Sequence, residues 1–386
     1  MIGLQIQLIW PGCAQGNYRV KAKGYILAVL RWGTAEGALQ DWSPFAYVPV
    51  DPAGNGVFFF PGKRAIPREA THVWARCYQA DFSSYEDISA MLAEDRPAKR
   101  CDENAVHFSI FTDLHLAAKP WKIKQALRSA QSDRIFLLGD STNDGLSKQF
   151  DAFLECIEET VPHKSLFPVT GNHDVLHPSR MEGDDGCQNY QRFQKQLLAK
   201  CEVGGHAITR APDGRAYSVQ MGDLDIIALQ CVTTGRKFRF PDAEQINWLD
   251  EHLADTQAAW HIILCHAPLL KHNPNRNEGT PYLDQNKRIQ ELLDRHGRIL
   301  FLNGHTHVSP NGLQGNAEYD EIHHNLYLDC ASVVDTDLSA ENSLMDPSWK
   351  DGCKTELMIT QDTVEICMTS IAAGLHFPRG YYRFRV

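Results

Sequence analysis

Phe167-Pro168-Val169-Thr170-Gly171-Asn172-His173-Asp174 is a short apolar run that ends abruptly in a polar cluster. The run reads as a strand and the cluster as a loop at its carboxyl end. Four other stretches have the same form. Asp113-Leu114-His115, Gly139-Asp140, Cys265-His266-Ala267-Pro268 and Gly304-His305-Thr306-His307 each follow a strand-like apolar run. Between them lie segments with helical spacing: Trp121 to Ala130, Phe150 to Glu159, Tyr190 to Leu198, Ala243 to Ala254 and Asp284 to Arg295. Ala216 to Val219 and Leu224 to Leu229 read as a hairpin, and the tail from Asn325 on as further strands. Strands alternating with helices predict an α/β layered domain with covered sheets. In such folds the carboxyl ends of the strands are where loops converge on a site.

Taken singly, the clusters are weak signals. Asp113 with His115 reads as a turn aspartate and an exposed histidine, Asp140 as a helix cap, Asn172 as an Asx-turn and His266 as a strand-end histidine. Taken together, they offer seven ligand-type side chains: Asp113, His115, Asp140, Asn172, His266, His305 and His307. Asp113 and His115, like His305 and His307, are two positions apart and would project to one side of an extended segment. Asp140 has two oxygens and could bridge two ions, and Gly139 before it lets the backbone approach closely. The Asn172 side-chain oxygen is a neutral, hard ligand. His173 would sit beside the ions as a proton donor, with Asp174 expected to hold its imidazole in one tautomer. Carboxylate, imidazole and amide ligands in one place point to a two-metal hydrolytic phosphoester site.

The chain has 386 residues, more than one core usually holds, which predicts two domains. Residues 1–100 carry aromatic and β-branched runs separated by Gly, Pro and Asp, such as Tyr25-Ile26-Leu27-Ala28-Val29-Leu30 and Val57-Phe58-Phe59-Phe60. They are expected to form a small all-β sandwich domain. Its four tryptophans, Trp10, Trp32, Trp42 and Trp74, are expected to pack within it. A polar linker follows from Phe82 to Arg100, and residues 101–386 make the second domain.

Hydrophobic residues make up 43% and charged residues 22%, as in ordinary globular chains, and no apolar run approaches the roughly 18 residues that span a bilayer. The start, from Met1 to Trp10, lacks a basic segment and alternates like a strand, so it is read as fold and not as a signal peptide. The 11 cysteines have no CxxC pairs and are expected as reduced thiols of a cytoplasmic protein. A net charge of −10 argues against a nucleic-acid partner and leaves a phosphate substrate open, since bound ions would reverse the local sign.

The order Asp-x-His, Gly-Asp, Gly-Asn-His-Asp, His-x-Pro, Gly-His-x-His resembles the calcineurin-like metallophosphoesterases over roughly residues 105 to 335. The helix beginning at Asp242 and the strand Leu326-Tyr327-Leu328-Asp329 also resemble elements of that family. The resemblance implies a four-layer α/β/β/α sandwich of two mixed sheets. It implies that Asp113, His115, Asp140 and His307 hold a first metal, and Asp140, Asn172, His266 and His305 a second. His173 would be the acid. Two ions about 4 Å apart would clamp the phosphoryl oxygens and acidify a bridging water. Four imidazoles in the set favour Mn, Fe or Zn over Mg. Asn143 stands where the purple acid phosphatase branch carries its tyrosine. Gly139 to Gly145 looks more like bacterial cyclic-nucleotide and glycerophosphodiester phosphodiesterases.

The expected activity is therefore hydrolysis of a small-molecule phosphoester, most readily a diester, with monoesterase and pyrophosphatase activities open on the same site. A non-catalytic scaffold is the alternative of another class, and the complete ligand set counts against it. His177 to His206 could form a lid, and Lys271, His272, Asn273 and Arg276 could contact a distal phosphate.

Overall fold

The computed structural model describes six strands within residues 3–80 and most of residues 105–385, leaving out 117–119, 176–185, 231, 235–236, 240–242, 270–285, 308–309, 311–315, 334–351 and 372–375. The first six strands are β1 (Gly3–Trp10), β2 (Cys13–Arg19), β3 (Tyr25–Gly33), β4 (Gln40–Pro49), β5 (Asn55–Phe60) and β6 (His72–Ala80). They pair antiparallel in two three-stranded sheets, ordered β1-β2-β5 and β4-β3-β6. The side chains of the four tryptophans and the linker over 82–100 lie outside the described residues, as do lid residues 177–185 and Lys271, His272, Asn273 and Arg276.

Beyond them the elements alternate as the sequence predicts. They run β7 (Val106–Phe111), α1 (Pro120–Arg128), β8 (Arg134–Leu138), α2 (Ser147–Thr160), β9 (Ser165–Val169), α3 (Asn172–Val175) and α4 (Gly186–Val203). Next come β10 (Ile208–Arg210), β11 (Tyr217–Met221), β12 (Leu224–Ala228), β13 (Val232–Thr234), β14 (Lys237–Arg239), α5 (Ala243–Asp255), β15 (Trp260–Leu264) and α6 (Asn286–His296). The last are β16 (Ile299–Asn303), β17 (Ala317–Asp320), β18 (Asn325–Asp329), β19 (Cys353–Ile359), β20 (Thr363–Ser370) and β21 (His376–Arg385).

Two mixed sheets carry the domain. One has the order β21-β20-β19-β7-β8-β9 and the other β10-β11-β12-β15-β16-β18-β17. The strands that precede the polar clusters, β7, β8 and β9 in the first and β15 and β16 in the second, run parallel to their neighbours in this set. Successive side chains of a strand point to opposite faces, so a strand covered on both faces is apolar throughout and sorts its residues by parity. Phe108, Phe136, Leu138 and Phe167 of the first sheet meet Ile226, Ile262, Leu264, Leu300, Leu302 and Leu328 of the second in one buried cluster. Their neighbours Phe111, Ile135 and Leu137 face outward onto Ile123 and Leu127 of α1, Phe150 and Phe153 of α2 and Phe193 of α4. Ile227, Ile263, Ile299 and Phe301 face outward onto Ile246, Leu249 and Leu253 of α5 and Ile289 and Leu293 of α6. The result is the expected four-layer α/β/β/α arrangement. The i, i+3, i+7 spacing of Ile246, Leu249 and Leu253 puts one face of α5 on the sheet.

Of the strands from Asn325 on, β18 joins the second sheet and β19, β20 and β21 the first, where β19 pairs antiparallel with β7. Among the described residues, no helix is long and apolar enough to cross a membrane.

Candidate metal centre

All five clusters sit where their strands end. Asp113 follows β7 by two residues, Asp140 follows β8, Asn172 opens α3 after β9, His266 follows β15 and His305 follows β16. Parallel strands point their carboxyl ends the same way, so five loops far apart in sequence meet above the two sheets.

His307 Nε2 lies 3.0 Å from Asp113 Oδ1. His266 Nε2 lies 3.3 Å from Asp140 Oδ2 and 4.0 Å from Asp113 Oδ1. His115 Nε2 lies 3.7 Å from Asp140 Oδ2, 3.9 Å from Asp113 Oδ1 and 3.4 Å from His307 Nε2. His305 Nδ1 is 2.9 Å from the Asn172 side-chain oxygen. Three overlapping groups result, Asp113-His115-His307, His115-Asp140-His173 and Asp140-His266-His305, each with ligand atoms within 4.8 Å of one another. Two ligand atoms each about 2.0–2.2 Å from one ion are separated by about 3.0–3.5 Å. The shorter spacings above have that size, so the donor set fits two ions.

The other atoms of these side chains are held in place. Asp113 Oδ2 accepts from the Thr112 hydroxyl at 2.8 Å and from the His305 N–H at 3.1 Å, which leaves Oδ1 toward the imidazoles. Asp140 Oδ1 accepts from the His173 N–H at 2.7 Å, which leaves Oδ2 toward His115 and His266. His266 Nδ1 donates to the Leu138 carbonyl at 2.6 Å and so turns Nε2 inward. Such supporting bonds fix ligand orientation. Between His305 and His307, the Thr306 hydroxyl donates to Asp329 at the end of β18, 2.7 Å from Oδ1 and 2.8 Å from Oδ2.

The backbone is strained at the same residues. Among the described residues seven non-glycines have positive φ, and five are Asp113 (54°), His115 (45°), Asp140 (51°), His305 (69°) and His307 (53°). A left-handed conformation is uncommon for any non-glycine, although Asp and His enter it more readily than most, and it persists where the surroundings over-determine it, typically at functional sites. Close packing adds to the constraint. A Cβ on Gly139, whose φ is +89°, would lie 2.6 Å from His266 Nδ1, and one on Gly171 would overlap the Asp140 carboxylate.

Burial works against charge on Asp113 and Asp140, but the facing imidazoles of His307 and His266 overcome it and hold both carboxyls below the usual carboxylate range. Burial, with the His266 charge nearby, pushes His305 down to about 3. Burial also lowers His115, against the pull of Asp140 and Asp113. Both imidazoles are therefore neutral, the form that binds a metal. His266 goes the other way. Burial opposes its charge, yet Asp140 and Asp113 raise it to about 10. An ion binding at His266 must displace that proton, so uptake weakens as pH falls.

His173 stands beside the ligands, its ring edge-on to His115 with centroids 4.6 Å apart. Its Nδ1 donates to the Asn143 carbonyl at 2.8 Å. Asp174 does not make the expected contact with this ring. Its Oδ1 accepts from the Thr142 N–H and hydroxyl, and its Oδ2 from the Gly171 N–H. Burial and the Asp140 charge raise the Asp174 carboxyl to about 6, against those backbone N–H groups. The one-turn helix α3 accounts for the difference, because it points His173 and Asp174 to different sides. Sequence reading missed Thr112, Thr142 and the Asn143 carbonyl. Only their adjacency to Asp113 and Asp140 could have signalled them.

The family profile described as calcineurin-like phosphoesterase matches residues 106–309, more than half of the chain. This chain belongs to the calcineurin-like phosphoesterase family. It is a metal-dependent phosphoester hydrolase, and its candidate ligand clusters agree with the dinuclear site that calcineurin-like phosphoesterases generally use. Among solved structures, one titled "Structure of PhoD" is 10% identical, covering 99% of this chain and 88% of that chain at a TM-score of 0.44. A phosphopantetheinyl hydrolase from Mycobacterium tuberculosis is 12% identical, covering 64% and 98% at 0.37. A Vacuolar Protein Sorting 29 from Cryptosporidium parvum is 11% identical, covering 74% and 100% at 0.35. With TM-scores below 0.5, these likenesses add nothing to the family assignment. No curated protein matches the chain.

Proposed function

We propose that this calcineurin-like phosphoesterase hydrolyses phosphodiesters at a dinuclear site. Asp113, His115, Asp140 and His307 hold one ion, and Asp140, Asn172, His266 and His305 hold the other. The observation that carries this reading is the place of Asp140 Oδ2 between one imidazole of each set, 3.7 Å from His115 and 3.3 Å from His266. Mixed oxygen and imidazole donors suit manganese, iron or zinc. When bound, the ions supply Lewis-acid polarisation of the phosphoryl group and an acidified water as nucleophile.

The residues do the rest. Asp113 and Asp140 bring negative charge to the ions, and the strained loops keep their oxygens aimed before substrate arrives. His173 is the acid. With Nδ1–H on the Asn143 carbonyl, Nε2 carries the transferable proton. As the bond between phosphorus and the leaving oxygen breaks, its electron pair goes to that oxygen, which takes the Nε2 proton and leaves His173 neutral. The preference for diesters is supported by the Gly139–Gly145 segment, with Asn143 in place of tyrosine. Metal-reconstituted protein assayed on phosphomonoesters, cyclic nucleotides, glycerophosphodiesters and nucleotide diphosphate conjugates tests it. The highest kcat/KM is expected on a diester, and a monoester ahead by tenfold would overturn the preference.

We infer as well that residues 1–100 form a β-sandwich domain of their own ahead of residues 101–386. The described strands of residues 3–80 pair only with one another, which supports this. Limited trypsin digestion is expected to cut first at Lys99 or Arg100. Equal or faster cutting within residues 105–333 would contradict it. Among the described residues, the buried thiols of Cys156, Cys201, Cys330 and Cys353, outside any disulfide, support a reducing, cytoplasmic setting.

A further inference from the structure

The hydrogen bonds around His173 close into a ring. His173 Nδ1 donates to the Asn143 carbonyl at 2.8 Å. Asn143 follows Thr142 in the chain, and Asp174 follows His173. Asp174 Oδ1 accepts from the Thr142 N–H at 2.9 Å and from the Thr142 hydroxyl at 3.1 Å. The path thus runs from Thr142 through Asn143, His173 and Asp174 back to Thr142, with two peptide bonds and two sets of hydrogen bonds. Thr142 and Asp174 are both fully buried. Asp174 Oδ2 is tied in turn to the Gly171 N–H at 3.0 Å, and the Thr142 oxygen accepts from the Gly145 N–H at 3.1 Å.

The far end of the same loop is pinned as well. Gln149, in the first turn of α2, accepts from the Asp144 N–H at 3.0 Å and donates to Asp144 Oδ2 at 3.0 Å. The Asn143 carbonyl is thus fixed from both sides. A carbonyl oxygen only accepts, so whatever holds it under Nδ1 also sets which ring nitrogen is free.

We propose that Asp174 and Thr142 are positioning residues for His173. They hold the Asn143 carbonyl beneath Nδ1, and so keep Nδ1–H engaged there and set the direction in which Nε2 presents its proton. Asp174 acts through Thr142 and not by touching the imidazole. This rests on the reading of His173 as the acid.

The test uses leaving groups. Nitrophenolate departs without a proton, whereas an alkoxide needs one. Mispositioning the acid therefore slows an alkyl diester more than an aryl one. The full-length, metal-loaded chain is assayed on bis(p-nitrophenyl) phosphate and on a glycerophosphodiester, as wild type, Thr142→Val, Thr142→Ser, Asp174→Asn and His173→Ala. The ratio of the aryl to the alkyl kcat is expected to rise about tenfold or more in Thr142→Val and Asp174→Asn. Thr142→Ser keeps the hydroxyl and is expected to restore the wild-type ratio, with metal content by plasma mass spectrometry equal to wild type throughout.

If His173→Ala raises the ratio while Thr142→Val and a folded Asp174→Asn leave it unchanged, the positioning role is wrong and the acid reading stands. If His173→Ala leaves the ratio unchanged, or if the wild-type chain cleaves neither ester, the acid reading itself fails and the inference falls with it. Thr142→Val exchanges the hydroxyl for a methyl of similar size and keeps the Thr142 N–H bond to Asp174, so it keeps the question answerable if Asp174→Asn does not fold.

Discussion

Asp140→Asn is expected to abolish turnover, lowering kcat by well over the roughly 10–100-fold that loss of a supporting partner costs at a metal site. The side chain occupies the junction of the cluster. Its Oδ2 faces His266 at 3.3 Å and His115 at 3.7 Å, while its Oδ1 receives the main-chain N–H of His173. An amide of nearly the same shape can keep the Oδ1 bond, so the loop stays in place. What it removes is the negative charge that both ions would share in the proposed site. The variant should fold, because burial already opposes the charged form and only the imidazoles restore it. Circular dichroism matching wild type, alongside kcat near the background rate, is the expected pair of results. Wild-type kcat in the metal-loaded variant would remove Asp140 from its assigned place.

Gly171→Ala is expected to be nearly as damaging for a different reason. The added Cβ would overlap Asp140 Oδ1 and the Asp140 backbone nitrogen. These are not the far ends of a flexible chain, since Asp140 is buried and already left-handed at φ 51°. Overpacking of this kind destabilises by about 1–3 kcal/mol. It should also move Asp140 away from His266 and His115, so metal affinity falls together with stability. Urea unfolding of the metal-free proteins isolates the packing effect. A midpoint equal to wild type would show that the loop yields without strain.

The sequence made much of this visible. Strand runs such as Ile262-Ile263-Leu264 and Leu300-Phe301-Leu302 are apolar at every position, which reports cover on both faces, and the structure places helices and a second sheet there. The polar clusters stand out because they end those runs. The route of the tail was not legible. Cys353–Ile359 reads as a strand, but nothing local says that it pairs with Val106–Phe111. Asp174 shows the same limit. Its neighbour His173 is its obvious partner in sequence, whereas its actual partner Thr142 lies on another loop. The carbonyl that receives His173 Nδ1 has no side-chain signature at all. The left-handed backbone at Asp113, His115, Asp140, His305 and His307 was equally hidden, because Asp and His only permit that conformation and the surrounding packing decides where it occurs.

Counting bound metal in the folded protein tests the central claim most directly. The wild-type chain, loaded with manganese or zinc and freed of excess, should hold two ions per chain by plasma mass spectrometry, and Asp140→Asn should hold fewer than one. Two ions retained in Asp140→Asn, or no ion in the loaded wild-type chain, would contradict a dinuclear site bridged by Asp140.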